Sequence, residues 1–245
     1  MADTKFLRFA MWSGPRNIST AMMRSWGNRT DTAVCDEPLY AHYLAHTKKD
    51  HPGASEVIDK GEKDWRRVVA DLTGPIPGGR AIYFQKHMTH HLLPHIDRGW
   101  LGQVTNAFLI RHPRDVIASF LKIVAEPVLE DVGFVQQADI FRWVKQHTGT
   151  TPPVVDAADV LNNPRRLLGL LCDAVGVEFQ ECMLSWPPGL RPTDGVWAKH
   201  WYKEVETTTG FKPYAPKNQI LPAACRDLVE RCLACYDEMH VHRLR

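Results

Sequence analysis

Four short stretches of this 245-residue chain carry the side chains that could do chemistry. The first is Arg16-Asn17-Ile18-Ser19-Thr20, a guanidinium followed by two hydroxyls. The apolar run from Phe6 to Trp12 precedes it, and Ser13-Gly14-Pro15 stops that run. Ala21 to Trp26 then repeats at helical spacing, so the hydroxyls open a helix. Backbone N–H groups at such an end point outward unpaired, and the helix dipole adds positive potential there; the natural guest is a phosphate. The second stretch is Arg111-His112-Pro113-Arg114-Asp115, followed by Ser119. Arg111 ends the apolar strand 106–110, Pro113 suits a first helical turn, and Ser119 lies two turns on, so both can reach one anion. The third, Asp36-Glu37-Pro38, follows the apolar run 32–35. The fourth, Lys86-His87-Met88-Thr89-His90-His91, closes the strand-like segment 81–85.

Each stretch has an ordinary explanation as well. Ser and Thr cap helices in every fold class. Asp36 would serve as a cap for the next helix, with Glu37 in its first turn, where the dipole favours a carboxylate by about 0.3–1 kcal/mol. The Lys–His stretch can also be read, less readily, as a solvated loop holding one core histidine. The kinase pattern G-x-x-x-x-G-K-[ST] is absent, because no Lys precedes Ser19-Thr20. Only Val154-Val155-Asp156, which could pass for a metal-holding carboxylate after a strand, favours a phosphoryl-transfer reading.

The elements that must position these groups follow from periodicity. Apolar runs near residues 6–12, 32–35, 81–85, 106–110 and 153–156 read as strands, each followed by a helical pattern. That alternation predicts an α/β three-layer sandwich with a mainly parallel central sheet of about five strands, in a single domain spanning 1–245. Residues 40–75 read as a helical insertion, with helices at 40–47 and from about 55 to 72, placed to cover a substrate. Further helices are expected at 134–148 and 165–175, the latter opened by Asn163-Pro164. A long Pro/Gly loop, 186–195, precedes Val196-Trp197-Ala198-Lys199-His200.

The formal charge of +2 gives no reason to expect nucleic acid as a partner. The N-terminal residues show no signal-peptide core and no stretch is long enough to span a membrane, so a cytoplasmic protein with a small-molecule acceptor is expected. The six cysteines do not form a disulfide framework in a chain of this length. Cys232 and Cys235 fall on the apolar face of a C-terminal helix, which points to packing rather than to metal.

The two anion-binding turns together resemble those of sulfotransferases that use 3′-phosphoadenosine 5′-phosphosulfate (PAPS). The resemblance implies that Arg16, Asn17, Ile18, Ser19 and Thr20 cradle the 5′-phosphosulfate, and that Arg111 and Ser119 hold the 3′-phosphate. Gly195, Trp197 and Lys199 look like the family's late Gly–Trp–Lys loop, which closes on the 3′-phosphate and adenine. Arg16 stands where the family commonly has Lys, and Met88 stands where cytosolic members have a His after Lys86. Asp36-Glu37-Pro38 is similar to bacterial carbohydrate members in which a Glu after the second strand is the proposed base. The resemblance therefore implies transfer of a sulfuryl group from PAPS without a metal, helped by Lys86, with Glu37 as the base and His90 as the alternative.

Overall fold

The computed structural model describes residues 6–215 and 220–245. Five strands, β1 (Leu7–Ser13), β2 (Thr32–Asp36), β3 (Ile82–Met88), β4 (Thr105–Ile110) and β5 (Val154–Asp156), form one sheet in the order β2-β3-β1-β4-β5. Every pairing is parallel, as the strand–helix alternation predicts. Helix α1 (Ser19–Gly27) follows β1, and α2 (Tyr40–Thr47), α3 (Ala54–Lys60) and α4 (Trp65–Thr73) lie between β2 and β3. Beyond β4 come α5 (Pro113–Phe120), α6 (Leu129–Val132) and α7 (Phe134–Thr148). After β5 come α8 (Ala157–Asn162), α9 (Pro164–Val175), α10 (Ala198–Trp201), α11 (Lys203–Glu206) and α12 (Arg226–His240).

Because successive strand residues point to opposite faces, β1 feeds two cores. Ala10 and Trp12 pack with residues of α4, α5, α7 and α12, while Leu7, Phe9 and Met11 pack with α1, α2 and α9. Both faces are therefore covered, which is why the strands read as nearly continuous apolar runs. All six cysteines are free. Cys232 is wholly buried on α12, and burial pushes its thiol up to about 12, so it behaves as a small apolar side chain.

Two boundaries differ from the sequence reading. The helix expected from about 55 to 72 is two helices. Gly61 ends α3 in an extended conformation, and the Asp64 carboxylate accepts from the Arg66 N–H to start α4. The third strand does not stop at Gln85 but runs on to Met88, so Lys86 and His87 belong to the buried sheet rather than to a solvated loop. The sheet partner explains this extension, since β1 pairs with β3 through Ser13 and Met88.

Candidate active site

The carboxyl ends of β1 and β4, neighbours at the centre of the sheet, bring the first two stretches together. Arg16 lies in the left-handed region (φ 57°), which turns the chain sharply out of β1. Gly14 permits the turn, because a Cβ there would sit 2.9 Å from the Val132 carbonyl oxygen. Asn17 then ties the loop down on both sides. Its side-chain amide donates to the Leu109 carbonyl at the end of β4 (3.0 Å), and its side-chain oxygen accepts from the Ile18 N–H (2.8 Å). Gln137 of α7 clamps the same strands, donating to the carbonyls of Trp12 and Leu109.

Helix α1 begins differently from the capping interpretation. Ile18, not a hydroxyl residue, is the N-cap, with no side-chain bond, and there is no acidic residue in the first turn. Ser19 and Thr20 are the first helical residues. The N–H groups of that turn are left for an anion. Arg16 Nε donates to Ser119 Oγ of α5 (3.0 Å), and Arg111 Nη1 donates to the Arg16 carbonyl (3.0 Å). Among the described residues Arg16 has no carboxylate within ion-pair distance, and Arg111 meets Asp115 only at 3.7 Å. Two half-buried guanidiniums, a hydroxyl and an uncapped helix end thus share one corner.

The third and fourth stretches meet on the other side of β1. Asp36 and Lys86 are register partners in the β2–β3 pairing, so their side chains lie next to each other on one face. Lys86, 1% exposed, gives all three N–H bonds within the protein: to Asp36 Oδ1 (2.9 Å), Glu37 Oε1 (2.5 Å) and Tyr202 Oη (2.7 Å). The Tyr202 hydroxyl lies 2.8 Å from both Asp36 oxygens. Neither acidic residue caps a helix. Asp36 ends the strand, and Glu37 sits in the left-handed region (φ 44°) in a turn before α2. Burial raises the Glu37 carboxyl above its ordinary range; the Lys86 ammonium pulls it back, and Asp36 raises it further. Lys86 stays charged, because Asp36 and Glu37 outweigh the effect of burial.

The histidines beside this cluster are neutral. Burial pushes His90 down to about 3, and burial with its neighbours takes His91 well below its ordinary value. His91 stacks on Tyr40 (4.6 Å between ring centres) and lies 3.9 Å from Glu37 Oε2, while His90 packs edge-on to Tyr43. The Nδ1 atoms of both are buried without a hydrogen-bond partner among the described residues.

The late loop joins this second cluster rather than the guanidinium corner. The Gly195 N–H donates to Asp36 Oδ2 (3.1 Å), and Trp197 packs against Tyr40. Lys199 is exposed and bonds Glu56 of α3. A buried bidentate pair, Arg24 with Asp194, anchors the loop to α1. Tyr202, Asp194, Gln137 and His91 received no role in the sequence reading. Asp156, the carboxylate that could pass for a metal holder, instead caps α8 at Ala158 and accepts from Tyr236.

Comparison with known proteins agrees with the fold. A family model described as a sulfotransferase domain matches residues 7–243. Two Arabidopsis thaliana proteins, named branched-chain-amino-acid aminotransferase-like proteins 2 and 1, are 35% and 36% identical over 231 residues, or 94% of this chain. The chain spans 41% of the length of these relatives. A sulfotransferase from Alicyclobacillus acidocaldarius shares the fold at a TM-score of 0.52 and 10% identity, covering 98% of this chain and 97% of its own. The sulfotransferase domain from the curacin biosynthetic pathway does so at 0.50 and 14%, covering 94% and 96%.

Proposed function

The chain belongs to the sulfotransferase family, and on that basis we propose that it transfers a sulfuryl group from PAPS to a hydroxyl or amine of a small-molecule or carbohydrate acceptor. The observation that carries the PAPS reading is the convergence of Arg16, Ser119 and Arg111, which sets two guanidiniums, that of Arg16 without a carboxylate partner among the described residues, beside the uncapped start of α1. A nucleotide with phosphates at both 3′ and 5′ positions suits a corner built from two separate turns. Asn17, Ile18, Ser19 and Thr20 would offer the 5′ end their backbone, and Arg111 with Ser119 the 3′ end. When bound, PAPS would supply an activated sulfuryl group: the acceptor's oxygen or nitrogen would bond to its sulfur as the S–O bond to the 5′-phosphate breaks and 3′,5′-adenosine bisphosphate leaves.

Glu37 is the base in this reading. A carboxylate whose proton affinity burial has raised takes the acceptor's proton more readily than His90, whose imidazole burial has made a weak base. Lys86 holds Glu37 by charge and hydrogen bond, and Tyr202 and Asp36 hold Lys86. In this reading Arg16 would stabilise the negative charge that grows on the departing oxygen, fixed cationic groups doing the work a metal would do for a phosphoryl group. Helices α2 and α3, whose Tyr40 and Val57 share a core with Trp197 and Tyr202, would form the acceptor's cover.

The test has two parts. Radiolabelled PAPS is incubated with the protein and pools of small-molecule acceptors; transfer of label without added Mg²⁺ supports the reading. In parallel, 3′,5′-adenosine bisphosphate raises the melting temperature more than AMP or ATP, since a ligand specific to the folded state stabilises it by mass action. Equal shifts for all three nucleotides would remove the 3′-phosphate site.

A further inference from the structure

A second cluster of ligating atoms lies away from the anion corner. His42 and His46 are four residues apart on α2, and therefore on one face of it. His95, in the segment after β3, comes up beside them, and one nitrogen from each ring lies within 4.8 Å of the other two. His42 Nε2 and His95 Nε2 are 2.9 Å apart. Two imidazole nitrogens on a tetrahedral zinc ion lie roughly 3.3 Å apart, given Zn–N distances of about 2.0–2.1 Å. His46 and His95 are exposed and can turn their rings to open the pair by that amount.

The surroundings of His42 fix its role. Its Nδ1 is 2.7 Å from the Lys63 carbonyl oxygen, a partner that can only accept, so Nδ1 carries the proton. The Nε2 lone pair is then aimed at the other two rings. A backbone carbonyl behind a histidine ring is the arrangement that orients zinc ligands. The cluster contains no carboxylate, which favours zinc and its neighbours over magnesium or calcium.

We infer that His42, His46 and His95 form a three-histidine site for a divalent transition-metal ion of the zinc class, with a fourth position open to water. The site stands apart from sulfuryl transfer. It joins α2, the Lys63 turn before α4 and the segment after β3. The same helix carries Tyr40 and Tyr43, which pack on His91 and His90 beside Glu37. A bound ion would therefore fasten the cover over the second cluster.

The test uses the full chain, stripped with EDTA and returned to chelator-free buffer. Zn²⁺ should bind at one ion per chain with micromolar or tighter affinity and raise the melting temperature. Co²⁺ in its place should give the visible absorption of a nitrogen-ligated ion. His46→Ala and His95→Ala change exposed side chains and should leave the melting temperature without metal unchanged. Each should weaken Zn²⁺ binding by more than the ~10–100-fold that loss of an outer-shell partner costs. No binding at micromolar Zn²⁺ would overturn the proposal. So would undiminished binding in the double variant, which would place the ion elsewhere, for instance at Cys232 and Cys235.

Discussion

Two residues in the left-handed backbone region flank the proposed reaction, Arg16 and Glu37. Neither is glycine, and such a conformation costs of order 1–3 kcal/mol each, tolerated where the surroundings fix it. The surroundings here are the Asn17 tie to β4 and the Glu37–Lys86 bond. Glu37→Gln keeps the shape and removes the charge. It should retain the fold and the adenosine bisphosphate shift, yet lose about 10²–10⁴-fold in turnover. Since burial raises its pKa, the rising limb of kcat/KM against pH should lie above the ~4.3 of an ordinary Glu and should vanish in the Gln variant. Near wild-type turnover in Glu37→Gln, with loss in His90→Ala, would make the histidine the base. The two arginines separate differently. Arg111→Ala should raise KM for PAPS with little change in kcat, because its phosphate does not alter during reaction. Arg16→Ala should lower kcat as well, because it meets developing charge. Steady-state kinetics on both variants decides, and identical KM-only effects would move Arg16 away from the reacting end.

The loop before α10 shows what local sequence could and could not reveal about the elements. The turns after β1 and β4 were legible because each motif lies within one strand–turn–helix unit, where spacing predicts geometry. The Asp36–Tyr202 bond was not, because 166 residues separate its partners and only the folded sheet edge brings them together. Arg24 and Asp194 are likewise 170 residues apart. Periodicity also merged α3 and α4, since a single extended glycine leaves the apolar spacing on either side intact. Lys199, which the resemblance places at the 3′-phosphate, bonds Glu56 through its ammonium. Arg24→Ala would leave the Asp194 carboxylate, 3% exposed, without its partner. The expected cost is about 3–5 kcal/mol, readable as a drop in melting temperature of roughly 10 °C. Gly195 is under a separate constraint, because a Cβ there would fall 2.1 Å from the Trp197 ring. Gly195→Ala should therefore displace the loop and loosen Tyr202 from Lys86, lowering turnover more than it lowers stability. A variant with normal kinetics would show that the loop has no part in holding the cluster.

At the scale of the whole molecule, buried neutral histidines set the acid limit. His87 and His90 are held down to about 3 by burial, and His91 is also depressed. Unfolded, each takes a proton near pH 6.5, so below that pH the unfolded chain binds more protons and stability falls as pH falls. Each such histidine contributes at most about 1.4 kcal/mol per pH unit across the window from 6.5 down to its folded value. Glu37, raised by burial, acts in the opposite sense, favouring the folded state at low pH, but one carboxyl does not offset three rings. Melting temperature should drop steeply between pH 6.5 and 4; a flat profile would mean that these rings are wet. The opposite end of the sheet carries a different consequence. β5 is a three-residue edge strand, and the tail after α12 returns to lie along it, with the Leu244 N–H donating to the Val154 carbonyl (2.8 Å) and Arg243 bridging to Val154. An uncovered strand edge is a template for other chains. Arg243 and Leu244 thus cover that edge at Val154. Deleting residues 243–245 should leave the anion corner intact while making the protein scatter light increasingly with concentration.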